Sequence, residues 1–466
     1  MRSFPAAGFL LLLLAGPVCA GLRAGAARVV ISPPPGAAMA GYYHFRACDG
    51  VLDDIHAAAL VLDDGAQRAA LVTLDLIDAP RAIVEDVRRR VESAGLLRGE
   101  HVMISATHAH TGPVPGRLLR TPDAPELGSD SAHGQYLAGL PEKIVASVRA
   151  AVARLAPVVV SASSGECTDT SFCRRFYLRD GSVGWNPGKL NPAVMLPCGP
   201  IDPEVQGIFF EPPHAPGDHA AALAVYANFS MHPDTVGGTK VSADYPGVIA
   251  KLLSGYHGKD SVVLYGNGAS GNLNHLDVKW ARRQSGIEEA HRLGTLIAAA
   301  MLRADKDRLP VADGPLRVKS LRVPLAVPAV SPEAAEMARL IVSGKRQPAP
   351  GFMDLVRANR LLDLEPLHGE PIPAEVQVVT LGRDVAWVAL PGEIFSELGL
   401  ALKKRSPFAR TVITTLANGS VGYGPDRRSY AEKAYEAESA RVEPGSGEQL
   451  VEAAVQLLAE LHGAAE

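Results

Sequence analysis

The sequence predicts an α/β protein in which layered sheets are flanked by helices, and three features of the 466-residue chain support this. Short apolar runs rich in Val, Ile and Leu alternate with longer amphipathic segments, as expected for strands that alternate with helices. Hydrophobic residues make up 47% of the chain and aromatic residues 5%, which is typical of an aliphatic globular core. Ionisable or amide side chains follow several apolar runs, at the strand ends where α/β proteins bind ligands.

The strands are predicted from apolar runs and from the turns that separate them. We expect strands at 27–31, 58–62, 68–74, 102–105, 220–226, 261–265, 376–380 and 385–390. Gly-containing turns at 63–65 and 382–384 join two of the pairs as β-hairpins. Residues 163–200 are rich in Gly, Pro, Asn and Cys, so we expect an irregular loop near a site there.

The helices are predicted from helical spacing and from their start signals. Pro80 opens a helix to Ala94, and further helices are expected at 139–154, 247–254, 286–302 and 394–404. Residues 328–363 are expected to form a helical excursion broken at 347–351. Ser446 to Gln449 form a capping box before an amphipathic helix that runs to Leu461.

The N-terminus has the features of an export signal. Arg2 precedes a leucine-rich run, and Val18 and Ala20 are the small residues of a cleavage site, so we expect residues 1–20 to be a signal peptide cut after Ala20. Gly16 to Val18 are a poor lipobox before Cys19, which favours simple export over a lipoprotein. Later apolar runs are too short to cross a bilayer. We expect one secreted or periplasmic domain over residues 21–466.

The charge and cysteine content limit the partners of the protein. The formal net charge is −4 and no basic patch indicates nucleic acid, so we expect no nucleic-acid partner. Outside the cytoplasm, the four cysteines of the mature chain are compatible with one or two disulfides. Cys167 and Cys173 are the closest pair in sequence, but the sequence leaves the pairing open and gives no oligomeric state. The four are Cys48, Cys167, Cys173 and Cys198.

A histidine pair closes the predicted strand at 102–105. His108 and His110 are two residues apart, so in extended backbone both side chains point to the same side. Thr111 to Pro113 end the strand. The pair is therefore a candidate for zinc ligation, for acid/base chemistry or for one of each, although neighbouring histidines also occur as hydrogen-bonded structural residues.

Further polar candidates follow other apolar runs. They are His232 after 220–226, Asn272 and Asn274 after 261–265, and Glu393 after 385–390. Each has a structural alternative: His232 as a cap before Pro233, and Glu393 in the first turn of a helix. The recurrence of ionisable groups at strand ends favours convergence on a metal, because buried polar groups are costly without partners.

Four stretches taken together resemble the neutral/alkaline, non-lysosomal ceramidase family. They are Thr107-His-Ala-His-Thr-Gly-Pro113, Asn228 to His232, Leu390-Pro-Gly-Glu-Ile394, and Tyr423 through Tyr435-Glu436-Ala437. The likeness spans about Ala27 to Leu461. It implies a ceramidase-like catalytic domain with its site at strand ends, without the C-terminal immunoglobulin-like domain of the family, and an amidase that cleaves the N-acyl bond of sphingolipid ceramide with zinc.

The resemblance assigns roles position by position. It implies that His108, His232, Glu393 and Tyr423 bind zinc, and that His110 transfers protons. Tyr435 then resembles the hydroxyl that steadies the oxyanion. Arg174 resembles the active-site arginine, although Arg175 is an equally literal choice.

One position departs from the family pattern. Asn274 stands where the family has a serine in a Gly-Asp-x-Ser-Pro-Asn motif, and Ser270 is a less natural match. A serine acyl-enzyme is therefore not expected. Asn274 can hold substrate or water by hydrogen bonds, but an amide is no base.

The expected function is hydrolysis of a small-molecule or lipid amide by metal-activated water in an exported zinc enzyme. Two alternatives remain open at this point. The same metal site is compatible with ester, phosphoester or glycosidic substrates, because function belongs to the site and not to the fold. The third possibility is a non-catalytic exported binding protein that retains the pocket.

Overall fold

The computed structural model describes residues 21–116, 118–214 and 221–463. Its strands are β1 (Arg23–Val30), β2 (Gly50–Val51), β3 (His56–Asp63), β4 (Arg68–Leu74), β5 (Val102–Ala106), β6 (Ala156–Pro157), β7 (Val159–Glu166), β8 (Phe172–Cys173), β9 (Arg175–Leu178), β10 (Val183–Trp185), β11 (Val194–Pro197), β12 (Glu204–Glu211), β13 (Ala224–Phe229), β14 (Lys240–Val241), β15 (Val262–Asn267), β16 (Leu273–Asn274), β17 (Leu309–Pro310), β18 (Leu316–Leu325), β19 (Ile372–Leu381), β20 (Val385–Ala389), β21 (Glu393–Ile394), β22 (Arg410–Thr414) and β23 (Tyr423–Gly424). Its α-helices are α1 (Arg81–Ser93), α2 (Ala132–Val152), α3 (Asp244–His257), α4 (Ile287–Ala304), α5 (Pro332–Val342), α6 (Phe352–Leu364), α7 (Ser396–Arg405), α8 (Arg427–Glu432), α9 (Tyr435–Ser439) and α10 (Ser446–Gly463).

Three mixed sheets organise the chain. Their strand orders are β5-β4-β3-β1-β6, β15-β13-β12-β7-β17 and β18-β19-β20-β22. Most neighbours are antiparallel, but each sheet has one parallel pair: β4 with β5, β13 with β15, and β20 with β22. Parallel neighbours end at the same sheet edge, so each pair presents two carboxyl ends together.

The three sheets share one inner core and carry helices on their outer faces. Leu60, Phe210 and Trp387 come from different sheets and belong to one cluster of fully buried side chains. Helices α1 and α2 cover the outside of the first sheet, α3 and α4 that of the second, and α7 and α10 that of the third. This arrangement confirms the predicted layered sheets flanked by helices.

The predicted elements are present with shifted ends. The hairpin of β3 and β4 pairs Ala58 with Thr73, and that of β19 and β20 pairs Val378 with Val388. The excursion at 328–363 forms α5 and α6, which pack against each other. Helix α2 begins seven residues before the predicted start, because Ser131 caps it by accepting from Gly134 N.

Four expectations need correction. Residues 163–200 include the second half of β7, strand β8 and the small three-stranded sheet β10-β9-β11, and are not simply an irregular loop. Glu393 lies in β21 and not in the first turn of α7, so its position needs an explanation other than the helix dipole. In the described chain the Ser446 hydroxyl has no hydrogen-bond partner, so the capping box does not form. The four cysteines are buried free thiols, and Cys167 and Cys173 contact different groups, Thr170 and the Arg175 carbonyl.

Of the two predictions about membranes and export, the structure bears on the first and does not cover the segment of the second. Among the helices of the described residues, none has the length and apolar character needed to cross a bilayer. The expected signal peptide at residues 1–20 lies outside the described residues.

Candidate metal centre and active-site cavity

His108 sits directly after β5, at the carboxyl end of the first parallel pair. Its backbone adopts φ 75°, a left-handed conformation that is rare outside Gly and is often retained at functional sites. The amide of His108 donates to Leu76 O at 2.9 Å, and ring Nδ1 lies 2.6 Å from Ile77 O. Since a carbonyl only accepts, Nδ1 carries the proton and Nε2 is left with its lone pair.

His232 has the same ring arrangement at the end of β13. Its Nδ1 lies 2.8 Å from Ser270 O, so this nitrogen also carries the proton. The side chain is almost fully buried. A backbone carbonyl on the far ring nitrogen is the common way in which proteins orient a metal-binding histidine.

Glu393 brings an acceptor to both imidazoles. Its Oε2 lies 3.4 Å from His108 Nε2 and 3.1 Å from His232 Nε2. Strand β21 is fixed by its parallel pairing with β23 and by the bond from Glu393 N to Gly422 O at 2.9 Å. Two lone-pair nitrogens facing a carboxylate repel it unless a cation lies among them or an imidazole is protonated, so the donor set fits a metal ion.

The titration behaviour of the three groups agrees with this geometry. Burial alone would lower the pKa of the His108 imidazole and raise the pKa of the Glu393 carboxyl. The facing charges reverse both effects, so the pKa of His108 is raised and that of Glu393 is held well below its usual value. Burial lowers the pKa of His232 to about 3, so this imidazole is neutral at pH 7.

His110 is the third histidine of the cluster. The side-chain nitrogens of His108, His110 and His232 lie within 4.8 Å of one another, and this group can hold a metal ion. His110 Nε2 is 3.2 Å from His108 Nε2, while Nδ1 is 3.5 Å from Asp234 Oδ1. Burial lowers the pKa of His110 to about 4, so His110 is also neutral at pH 7. Its geometry allows either a third imidazole ligand or a base beside the metal.

Asp234, which is not among the candidates predicted from the sequence, faces Nδ1 of His110. Its Oδ1 accepts from the Tyr42 hydroxyl at 2.7 Å as well as facing the imidazole. Asp234 follows His232 by only two residues, so the run His232-Pro-Asp234 was the available signal. A carboxylate behind a histidine fixes its tautomer and favours its protonated form.

The two tyrosines reach the site from the end of the chain. Tyr423 is the register partner of Glu393 in the β21 and β23 pair, which places both side chains on the same side. The rings of Tyr423 and Tyr435 lie 5.5 Å apart, edge to face. Burial raises the pKa of both phenols well above 10, and the Glu393 carboxylate raises that of Tyr423 further. Tyr435 therefore remains a hydrogen-bond donor.

Arg174, and not Arg175, contacts the site. Nη2 of Arg174 donates to the Tyr423 hydroxyl at 3.0 Å and to Gly271 O at 2.8 Å, and Nε donates to Glu436 Oε1 at 2.7 Å. Arg175 turns to the opposite side, where it binds Ser429 and Glu432. Arg174 therefore positions Tyr423, and Glu436, which directly follows Tyr435, orients Arg174.

Asn274 does not lie where its predicted role, holding substrate or water, would require. Its Nδ2 donates to Asn186 Oδ1 at 2.9 Å, and its Oδ1 accepts from Leu276 N at 3.1 Å. It is not among the described residues that line the cavity at the site. Ser270 is also buried, with its hydroxyl donating to Asn267 Oδ1 at 3.2 Å. Both side chains hold loops of the site in place.

A cavity of about 470 Å³ opens beside the candidate metal-binding residues. His108, His110, Glu393, Tyr423 and Tyr435 are among the residues that line it. Asp78 and Arg441, which are not among the candidates predicted from the sequence, also line the cavity. Asp78 follows β4 by four residues, so the rule that located the other strand-end groups was the available signal.

Comparisons with known proteins identify the fold. Neither a scan against protein-family models nor a search of curated proteins found a match. Among solved structures, the neutral ceramidase from Pseudomonas aeruginosa is similar with a TM-score of 0.71 at 18% identity, covering 94% of this chain and 75% of that one. A ceramidase complexed with C2 matches with a TM-score of 0.69 at 18% identity, covering 94% and 76%. The chain therefore has the fold of the neutral ceramidases.

Proposed function

We propose that the protein is an exported zinc-dependent hydrolase of N-acyl (amide) bonds, similar in activity to the ceramidases whose fold it shares. One observation carries the proposal. Two imidazoles from distant parts of the chain, those of His108 and His232, place Nε2 3.4 and 3.1 Å from the same carboxylate oxygen of Glu393. His108 and Glu393 line a cavity large enough for a small organic substrate.

His108, His232 and Glu393 would hold the metal together with Tyr423, as the sequence resemblance implies. Two imidazoles, a carboxylate and a phenolate are an N/O set that suits zinc. Burial keeps Tyr423 protonated on its own, and the charge of a bound zinc ion together with that of Arg174, which donates to the Tyr423 hydroxyl, would favour its phenolate. When bound, zinc would supply Lewis acidity toward the amide carbonyl and the attacking water. If His110 were a ligand as well, the site would lose its nearest proton acceptor, so we assign His110 to proton transfer.

The residues around the metal would move the proton and stabilise charge. His110 accepts the proton of the attacking water at Nε2, and Asp234 beside Nδ1 stabilises the imidazolium that forms. His110 then gives this proton to the leaving amine nitrogen as the C–N bond breaks. The Tyr435 hydroxyl, which lines the cavity, donates to the developing oxyanion.

A paired substitution tests the assignment. His108→Ala removes one metal-binding group, so we expect loss of bound zinc by elemental analysis and loss of amide hydrolysis. Ser270→Ala is the control, because the Ser270 hydroxyl contacts only Asn267 among the described groups, and its turnover should stay close to that of the unmodified protein. A large loss of turnover in Ser270→Ala with zinc retained would contradict the water route and support a serine acyl-enzyme.

A substrate panel separates this function from its alternatives. The purified protein is assayed with matched N-acyl, ester, phosphoester and glycosidic substrates, beginning with a short-chain ceramide. Hydrolysis of the N-acyl compounds supports an amidase, whereas exclusive cleavage of another bond would change the assigned reaction. Full zinc occupancy without hydrolysis of any class would indicate a binding protein. Detection of mature protein beginning at Gly21 outside the cytoplasm would support export.

A further inference from the structure

Residues 190–196 expose a concentrated set of large apolar side chains. Of the five large apolar side chains in the described chain that are more than half exposed, three lie in this run: Leu190 at 61%, Met195 at 59% and Leu196 at 51%. The register of β11 on β9 shifts between Val194 and Leu196, so Met195 and Leu196 are both exposed although neighbours on a strand normally alternate. Single exposed apolar residues are common, but a group in one place indicates a contact surface.

Cations flank these apolar side chains. Lys189, directly before Leu190, reaches the loop after β16, where its Nζ donates to Arg282 O at 2.7 Å. Leu190 N donates to Val278 O of the same loop, also at 2.7 Å. The loop therefore lies against the apolar run and brings three exposed cations of its own, which are Lys279, Arg282 and Arg283.

The positive charge of this surface exceeds its negative charge. Arg179 is the fifth cation, and its Nε donates to Pro192 O, inside the apolar run, at 2.8 Å. In the described chain no carboxylate forms an ion pair with any of the five cations. Residues 179–196 and 277–283 contain these five and two carboxylates, so three positive charges are in excess, whereas the whole chain has a formal net charge of −4; the carboxylates are Asp180 and Asp277. The surface is therefore a positive region on an acidic protein.

The surface belongs to the same elements that hold the candidate site. Asn186 N donates to Arg174 O at 2.8 Å, and the ring of Trp185 on β10 lies 4.4 Å from that of Tyr435. Tyr435 lines the cavity, and Trp185 also stacks on Phe352, which is 43% exposed. A partner bound at this surface therefore contacts elements that touch the cavity wall.

Charge decides between the partners that such a surface can have. A second copy of the chain would place two equal surfaces against each other across a two-fold interface, and the excess of positive charge on both disfavours this. An anionic lipid surface is complementary, because basic side chains bind lipid head groups while apolar side chains beside them enter the boundary of the acyl chains.

We propose that residues 179–196 and 277–283 form a surface that docks the protein on anionic lipid membranes. Leu190, Met195 and Leu196 enter the interface, and the five cations bind the negatively charged head groups. The docking does not depend on the proposed hydrolysis, since it concerns a lipid surface outside the cavity. If the protein hydrolyses lipid amides, docking keeps its cavity close to their source.

Vesicle binding tests the choice of partner. The full chain is sedimented with vesicles of phosphatidylcholine alone and with vesicles of equal parts of phosphatidylcholine and phosphatidylglycerol. We expect binding to the anionic vesicles to be at least about tenfold tighter, because each cation near an anionic membrane favours binding, and we expect added salt to weaken it. Equal binding to the two compositions, or no binding to the anionic vesicles, would overturn the proposal.

A charge reversal tests whether these residues carry the binding. Lys279→Glu with Arg282→Glu should weaken binding to the anionic vesicles by at least about tenfold. Lys143→Glu with Arg149→Glu is the matched control, because it changes the net charge equally at two exposed cations of α2, and its binding should stay within about twofold of that of the unmodified protein. Equal losses in the two variants would show that only the overall charge matters and would refute the surface.

A second pair of variants tests the apolar side chains. Leu190→Ser with Met195→Ser should weaken binding by about tenfold or more, because two apolar groups no longer leave water. Leu309→Ser with Met337→Ser is the control, since it removes the same side-chain types where they are 58% and 48% exposed outside the surface. Equal binding of the two variants would refute insertion. A dimer that dissociates only in the Leu190 and Met195 variant, without lipid, would assign the surface to self-association and overturn the proposal.

Vesicle binding is measured without turnover, so its result is separate from that of the proposed hydrolysis. Binding that depends on these residues in a protein that hydrolyses no amide would support the docking surface and contradict the amidase. Hydrolysis of dispersed short-chain amides without any vesicle binding would support the amidase and overturn the docking surface.

Discussion

Substitution of Glu436 by Gln tests whether a buried carboxylate holds the residues of the candidate metal site in place. Glu436 is fully buried, and its Oε1 accepts from Arg174 Nε at 2.7 Å while Oε2 lies 3.7 Å from Arg175 Nε. Arg174 in turn donates to the Tyr423 hydroxyl. The variant keeps the shape of the side chain but removes the negative charge between two arginines.

The expected loss follows from the burial of this pair. Removing one partner of a buried ion pair costs about 3–5 kcal/mol, because the other charge remains uncompensated. We expect the lower end, about 3 kcal/mol, since a Gln oxygen still accepts from Arg174 and Arg175 retains Glu432. With an unfolding entropy of about 1 kcal/mol per kelvin for a chain of 466 residues, this corresponds to a fall in Tm of about 3 °C.

The matched control is Glu438→Gln on the same short helix. Glu438 pairs with Arg357 at 2.9 Å, but the two side chains are 28% and 49% exposed, so its loss should cost less than about 1 kcal/mol. Urea unfolding and zinc content are measured for both variants. Glu436→Gln should be the less stable variant and should bind zinc less tightly through the loosened Tyr423. Equal stability of the two variants would refute the role of burial, and unchanged zinc affinity would refute the link to Tyr423.

Three further predictions follow from individual environments. Burial raises the pKa of Asp75 from 3.8 to about 7, so folding favours its protonated form; the contribution of Asp75 to stability should be full below about pH 4 and be lost as the pH rises through about 7. The pKa change from 3.8 to about 7 corresponds to at most about 4 kcal/mol of stability. Asp75→Asn should remove this pH dependence from the urea unfolding midpoint measured between pH 5 and 8, and midpoints of the variant and the unmodified protein that change in parallel with pH would contradict the prediction. Gly271→Ala should disrupt the site, because its Cβ would lie 2.3 Å from Glu393 O. The control Gly139→Ala lies in open space on α2 and should stabilise the protein by about 0.5–1 kcal/mol. Equal zinc content in the two variants would count against the close contact at Gly271. A chelator should lower the Tm, and zinc should restore it in a concentration-dependent way; a Tm independent of both would mean that no metal contributes to folding.

Most of the candidate site could be predicted from the sequence, because ionisable residues that follow apolar runs are recognisable from local patterns. His108, His232 and Glu393 each follow a recognisable apolar run, and parallel strands bring such ends to one edge. The same rule applied to Asp78 would have found a further lining residue. The choice between Arg174 and Arg175 could not be made in this way, because it depends on which guanidinium group faces Tyr423, 249 positions away.

Asn274 shows why a motif position does not define a role. Its sequence neighbourhood matches the family stretch, yet its amide is used by Asn186 and by Leu276 N. The register of β16 with β8 decides this, and that pairing joins residues about one hundred positions apart.

By itself, the sequence determined the kinds of element, the hairpins, the helical excursion and the strand ends that carry ionisable groups. These follow from spacing, turn residues and burial patterns within about twenty positions. Only the tertiary structure gave the distances at which His108 and His232 face Glu393, and only it decided that Arg174 and not Arg175 contacts Tyr423. The reason is physical: hydrogen bonds and charges act through space, and the packing of three sheets on one core sets those distances.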